Sequence, residues 1–515
     1  MPEASSRVLL DRTVLRLDGR PFFTLGAELR DTAASELPAV LRELSDAGFN
    51  TVGSPPLEER NAWYAQALLD EAEKHGHLVI AQAAPGQPAP AAFLAKRCKH
   101  RVCLHSYRLA APPDNAALQE HALQRDHLRT MDLFHPIWAP RGAGADLARW
   151  AAAMDLHSVA QVPGGPAPRS EGEDARRLLL QVEAACREHA LAPRPLFCHA
   201  LQCGRPGADP ASLAAGAPEA DLLRIRAWEL LAARARGIVA DSVQDLRPPS
   251  GRDRLAELAV LAREATILLD FLAEGQLVHS EVDTGHPRLQ ASLLHHGDDV
   301  LVLLWRSATG DEYWIDDSVC DRLEVRLKVP EAEGLGAWRL DFPGVRRLSI
   351  GRQYKGAATI PAGRVDLTAA ILLTRGTQRA DAMAAAVEQA LPAATRWSLE
   401  GVRARMEKAA RVEGELSHLS TAHAPQAALE AAWQLLDKAA ALHDKGADAD
   451  AWKALEAAKR RLRSLVDQRM TEALASGRVE RDSDVDLLRR SYHTLPLFHR
   501  EVASRLRTRV ALDYT

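Results

Sequence analysis

Residues 21–54, PFFTLGAELRDTAASELPAVLRELSDAGFNTVGS, decide the fold. A short apolar run over Phe22–Leu29 leads into a segment whose Leu37, Val40, Leu41 and Leu44 fall on one face at i, i+3, i+4 and i+7. Gly48 stands just past that segment, where a residue free to take positive φ caps a helix, and Thr51–Ser54 opens a second apolar run. This is a strand–helix–strand unit, and working outward it recurs. Candidate strands follow at Leu78–Gln82, Arg101–Leu109, Pro136–Ala139, Ser158–Val162, Leu196–Gln202 and Gly237–Val243, each trailed by a helix-like stretch. With the first two they make eight, the number that closes a (β/α)₈ barrel, and residues 21–272 match the roughly 250 such a barrel occupies.

Beyond the last barrel helix the pattern changes. LQASLLHHGDDVLVLLWRS, residues 289–307, reads as two strands about a His-Gly-Asp-Asp turn. LEVRLKV, AWRLDF, LSIGRQY, AATIPA and VDLTAAILLTR are short strands parted by Gly, Pro or Asp. From Arg379 glycine is sparse and long amphipathic runs appear at Ala427–His443 and Asp448–Ala475. The predicted architecture is an α/β TIM barrel over 1–274, an antiparallel β-sandwich domain over 275–376 and a C-terminal α-helical domain over 377–515. The helical surface either packs on the barrel, the commoner outcome, or holds a protein partner.

Composition excludes some function classes. Against 65 Lys and Arg stand 69 Asp and Glu, so no field gathers nucleic acid or an acidic membrane. The longest apolar stretch, Val300–Trp305, falls far short of a bilayer-crossing helix of about 20 residues. No leader is visible in MPEASSRVLLDRTVLRLDGR, and the expectation is a cytoplasmic protein. Six cysteines in 515 residues are no disulfide framework. Cys198 and Cys203 around His199 lack the tight, repeated spacing of a zinc module, and no metal or other cofactor is expected. Nucleophile-elbow, P-loop and dinucleotide motifs do not occur.

The strings DGRPFFTLGAELR and LPAVLRELSDAGFNTV resemble the opening of bacterial glycoside-hydrolase barrels. MDLFHPIWAP resembles the entry to their fifth strand, and PEADLLRIRAWELLAARARGIVADS the helix and strand that finish them. The resemblance covers about the first 375 residues and implies a sugar-directed cleft at the C-terminal mouth of the barrel. It also implies two carboxyl groups flanking the scissile bond. In the resembled barrels one acid follows strand four, where this chain runs through Leu109, Ala110, Ala111 and Pro112. Strand seven, PLFCHALQCG, offers Gln202, which can grip a hydroxyl but cannot titrate. The usual acid pair is broken on both sides.

Alternation on strand one turns Phe23, Leu25, Ala27 and Leu29 one way and Thr24, Gly26 and Glu28 the other, with Glu28 at the mouth. Glu28 is therefore a candidate catalytic carboxylate or a structural partner for Arg30 or Arg108. Asp241 and Asp245 close strand eight, as further candidate acids or, for Asp245, as the cap of the next helix. His105 and Tyr107 are expected to face inward near the mouth, with Trp138, His199, Gln202 and Gln244 as further candidate sugar contacts. The bland alternative for them is a polar layer filling the barrel. YHTLPLFHR, residues 492–500, is expected to be structural.

Three functions remain open. The first is a glycosidase-like protein that has lost the acid pair and binds carbohydrate or assembles with a partner. The second is an active hydrolase pairing Glu28 with Asp241 or Asp245, which a buried Arg clamp would count against. The third is a protein-interaction scaffold built on the C-terminal helices, in which case removing residues after about 378 leaves the barrel folded.

Overall fold

A computed structural model describes residues 8–84, 89–112, 114–141, 146–161, 181–182, 184–185, 187–189, 191, 194–203, 217–278, 282–306, 320–328, 334–351, 357–418, 426–475, 492, 495–500 and 504. Val162, Cys186 and Arg352–Tyr354, which figure in the expectations above, lie outside the described residues. Strands β1 (Val8–Asp11), β2 (Val14–Leu17) and β3 (Arg20–Phe22) form a small antiparallel sheet. Eight parallel strands follow: β4 (Thr24–Glu28), β5 (Thr51–Gly53), β6 (Leu78–Gln82), β7 (Leu104–Arg108), β8 (Ile137–Trp138), β9 (His157–Gln161), β10 (Leu196–Leu201) and β11 (Gly237–Ala240). Their order is β8-β7-β6-β5-β4-β11-β10-β9. Asp155 bridges the seam between β8 and β9: its amide donates to the Ile137 carbonyl at 3.0 Å, and its carboxylate accepts the Ile137 N–H at 2.8 Å. All eight expected strands are present: β6 keeps its expected bounds, β9 begins one residue earlier at His157, and the others lose one to three residues at one or both ends.

Helix α1 (Leu37–Ala47), followed around the wall by α2 (Ala62–His75), α3 (Ala89–Cys98), α4 (Asn115–Met131) and α5 (Leu147–Ala153), shows how the wall is built. Leu37, Val40, Leu41 and Leu44 are buried on one face, and Gly48 ends the helix at φ +88°, its N–H bonded to the carbonyls of Leu44 and Ser45. On β4 the expected alternation holds: Phe23, Leu25, Ala27 and Leu29 enter the helix-facing core. The barrel floor is closed by Val8, Leu15 and Phe22, which cluster with the inward Leu78, Ile80, Trp138, Phe197 and Val239. The β1–β3 sheet is thus a plug at the N-terminal end, leaving the opposite end for a site.

The β-sandwich has a six-stranded sheet, order β12 (Gln276–Val278), β14 (Leu289–His296), β15 (Asp299–Arg306), β20 (Thr368–Thr374), β17 (Gly336–Asp341), β18 (Gly344–Leu348). It faces a three-stranded sheet of β13 (Val282–Asp283), β16 (Cys320–Lys328) and β19 (Ala357–Val365). The near-continuous apolar run of β15 has a simple cause. Val300, Val302 and Leu304 enter the sandwich core, while Leu301, Leu303 and Trp305 join the barrel core, so the strand is buried on both faces. One expectation is corrected. The strand expected at LSIGRQY lies earlier, on Gly344–Leu348, pairing back on β17, and Ser349–Gly351 is not strand.

The C-terminal part contains α9 (Gln378–Ser417), α10 (Gln426–His443) and α11 (Asp448–Ala475), preceded in the barrel by α6 (Ala220–Ala232), α7 (Arg252–Ile267) and α8 (Leu269–Glu274). Helix α9 serves two cores. Its Met383, Val387, Leu391, Ala394 and Trp397 belong to the barrel core, whereas Val402, Met406, Ala409 and Val412 pack with α10, α11, Tyr492 and Phe498. Buried ion pairs run between them: Arg405 reaches Asp221 at 2.6 Å and Glu257 at 2.7 Å, Arg463 reaches Asp221 at 2.9 Å, and Lys408 pairs with Asp253. Helix α9 packs on α7, which is buried on nearly every side and carries Asp253 and Glu257 to these ion pairs, so removing the helices is expected to cost the barrel its fold, contrary to the scaffold reading. Residues 495–500 are helical, and Tyr492 donates its hydroxyl to Glu413 at 3.0 Å, a structural arrangement.

Candidate functional site at the barrel mouth

The interior is filled in layers. In the lower one Thr24 Oγ1 and His105 Nε2 share a hydrogen bond of 3.0 Å, and His105 Nδ1 lies 2.8 Å from Ser106 Oγ. Trp138 Nε1 donates to the same Ser106 hydroxyl at 3.0 Å. His199 Nδ1 is 2.6 Å from Ser158 Oγ and its ring leans on Trp138, centroids 5.9 Å apart. Thr24, His105, Ser106, Trp138 and Ser158 are satisfied buried polar groups, whereas His199 stays partly exposed. His105 does face inward, but it sits below the mouth, tied to the first residue of β4.

Tyr107 is a second correction. The register between β6 and β7 slips between the pairs Val79↔Leu104 and Ile80↔Ser106, a bulge that adds one residue and reverses the alternation beyond it. His105 and Ser106 both turn in. Tyr107 turns out to the helix layer, where its hydroxyl donates to Asp132 at 2.8 Å beside His135, and Arg108 turns in at the mouth.

The upper layer is an ion pair. Arg108 grips Glu28 with both terminal nitrogens, at 2.5 and 2.9 Å, and the same guanidinium is bonded by Gln82 at the end of β6. Glu28 is 1% and Arg108 8% exposed, so the pair is withdrawn from water. A Cβ on Gly53 would stand 2.5 Å from the Glu28 carboxyl carbon, which is why glycine ends β5. The guanidinium lies over the Trp138 ring at 5.7 Å, so Trp138, 2% exposed, is covered rather than offered as a platform.

The acids of strand eight sit to one side. Asp241 accepts the Cys203 N–H at 2.8 Å, and burial pushes its carboxyl up to about 6 against the opposing pull of that amide and of Arg30. Asp245 is not the cap of the next helix; Gly251 holds that position, and the Asp245 carbonyl accepts from Arg254 at 3.0 Å. Gln244 donates to Thr32 at 3.2 Å, joining the loops after β11 and β4. Gln202 is 3% exposed behind them. Gln82 was not singled out in the sequence, although a polar residue closing the apolar strand LVIAQ at the mouth was a readable signal.

Burial lowers both His105 and His199 to about 3, with Arg108 and Arg30 adding to the effect on His199. In the unfolded chain these imidazoles take a proton near pH 6.5, so below that pH the unfolded state binds more protons and the fold loses stability as pH falls toward 4. We expect His105→Gln to flatten the dependence of unfolding free energy on pH between about 6 and 4 by up to about 1.4 kcal/mol per pH unit. Denaturant titrations at stepped pH read this; an unchanged slope would mean that His105 is charged in the fold.

Solved structures share this fold. A glycoside hydrolase superposes with a TM-score of 0.56 at 12% identity, the match covering 73% of this chain and 99% of that one. A glycoside hydrolase family 5 protein from Bacteroides vulgatus ATCC 8482 gives 0.53 at 14% identity, over 73% of this chain and 95% of the other. No family model and no curated protein matches the sequence. Among the described residues no helix is long and apolar enough to cross a membrane.

Proposed function

We propose, from the premise of a glycoside-hydrolase-like (β/α)₈ barrel, that this protein recognises a carbohydrate at the barrel mouth without cleaving it. The observation that carries this is the Glu28–Arg108 clamp. A nucleophile must present a carboxylate oxygen to the sugar carbon, and an acid must carry a proton there. Both oxygens of Glu28 instead face one guanidinium, in the bidentate geometry that fixes a carboxylate most firmly. Arg30, Asp241, Gln244 and Asp245 remain at least partly exposed around the rim and supply the donors and acceptors that sugar hydroxyls use.

The test is a panel of polysaccharides and aryl glycosides followed for reducing-end release and thermal shift in the same wells. A ligand that prefers the folded state raises its apparent stability, so a shift without release is the expected result. Silence in both readouts would turn the case toward assembly through the helical part. A second reading, relocated catalysis, has one observation in its favour: a carboxyl pushed to about 6, like that of Asp241, suits a general acid near neutral pH. It requires release that Asp241→Asn abolishes.

A further inference from the structure

A cavity of about 300 Å³ lies away from the barrel mouth, where barrel helices, β-sandwich and C-terminal helices meet. This is at the lower end of small-molecule sites, about 300–1,000 Å³. Its walls come from α6 and α7, from the β17–β18 hairpin with the segment before β20, and from α11. Seven arginines and lysines face six carboxylates, a near balance that conceals an asymmetry in what is already used.

Three of the carboxylates are doubly paired, whereas Glu264 gives Oε1 to Arg224 and keeps a buried Oε2 without a partner. Asp221 is held by Arg405 and Arg463, Glu257 by Arg224 and Arg405, and Asp366 by Arg364 and Arg460. The cations are used unevenly: Arg224 and Arg339 are fully engaged, and the donors left over belong to the others. Arg463, 5% exposed, uses only Nε, toward Asp221, and its two terminal nitrogens make no hydrogen bond among the described residues. Lys459 has the Glu456 carboxylate at 3.1 Å and the Trp452 ring at 5.3 Å. Arg346, exposed at the rim, makes no hydrogen bond among the described residues. Burial pushes the Glu264 and Asp341 carboxyls upward against the opposing pull of Arg224 and Arg339. The rings of Trp452 and Phe342, 5.0 Å apart, give the cavity one apolar wall.

We propose that this junction cavity binds a compact oxyanion, a phosphate ester or a carboxylate, carried on a sugar-sized polar body. Unspent Arg and Lys donors on a partly dry floor match oxyanion geometry, and the aromatic wall accepts the body of the ligand. Because the walls come from all three parts of the chain, the bound ligand holds them together. This site is independent of the barrel mouth.

Calorimetric titration of the full chain with glucose 6-phosphate, glucuronate and neutral glucose tests the assignment. We expect one of the two anions to bind saturably and at least about tenfold more tightly than glucose. Whichever anion binds identifies the source of the oxyanion. Arg346→Ala and Arg460→Ala, both at partly exposed positions, should each weaken that binding about tenfold, whereas Arg30→Ala at the mouth leaves it unchanged. The proposal is overturned if neither anion saturates below about 10 mM, or if binding survives both cavity substitutions or is lost in Arg30→Ala.

Discussion

Cutting the chain after residue 377 will unfold the barrel. The cut removes Trp397, Leu391, Val387 and Met383 from the barrel core and uncovers α7, whose Leu255, Leu258 and Leu261 are buried at 2% exposure or less. It also strips Asp221 of both its cations and Asp253 of Lys408, and leaves Glu257 with Arg224 alone, all three acids being buried. Leaving one buried charge without its partner costs about 3–5 kcal/mol, and a whole domain has only about 5–15 kcal/mol to lose. Residues 1–377 should therefore be insoluble or show no cooperative melting transition. A soluble fragment melting within a few degrees of the full chain would mean that the helices are an appended module, as the scaffold reading requires.

The second large effect is expected at the mouth. Arg108→Met leaves Glu28 buried against Gly53 with no cation, and should destabilise the protein by about 3–5 kcal/mol in denaturant titration. Replacing both partners, as in Glu28→Met with Arg108→Leu, should recover most of that loss, because an apolar pair of similar volume avoids the cost of desolvating two ions. A single substitution costing under about 1 kcal/mol would show that water reaches the pair, and would reopen Glu28 as a reacting group.

The barrel was legible because most of its strands are short apolar runs and helices such as α1 carry a clear apolar face. Side-chain direction was legible on β4, where alternation is unbroken, and not beyond the bulge of β7, which turned Tyr107 outward. A bulge leaves no mark in the string LHSYR. Strand β18 was missed because GVRRL is an edge strand with both arginines exposed, so it lacks the apolar alternation that marks a strand. The Glu28–Arg108 alternative was readable from strand ends alone. The clamp of Asp221 was not: its partners lie 184 and 242 residues away, a distance no local pattern spans. The junction cavity was hidden for the same reason.

The most direct test uses 2,4-dinitrophenyl glycosides, whose leaving group departs without a proton and so needs no general acid. Any surviving nucleophile would show itself even where the acid is gone. The clamp at Glu28 predicts release at the spontaneous rate from pH 4 to 8, identical in wild type, Glu28→Gln and Asp241→Asn. Release above that rate, lost in Glu28→Gln or Asp241→Asn, would contradict it and make this barrel a hydrolase with a relocated carboxylate.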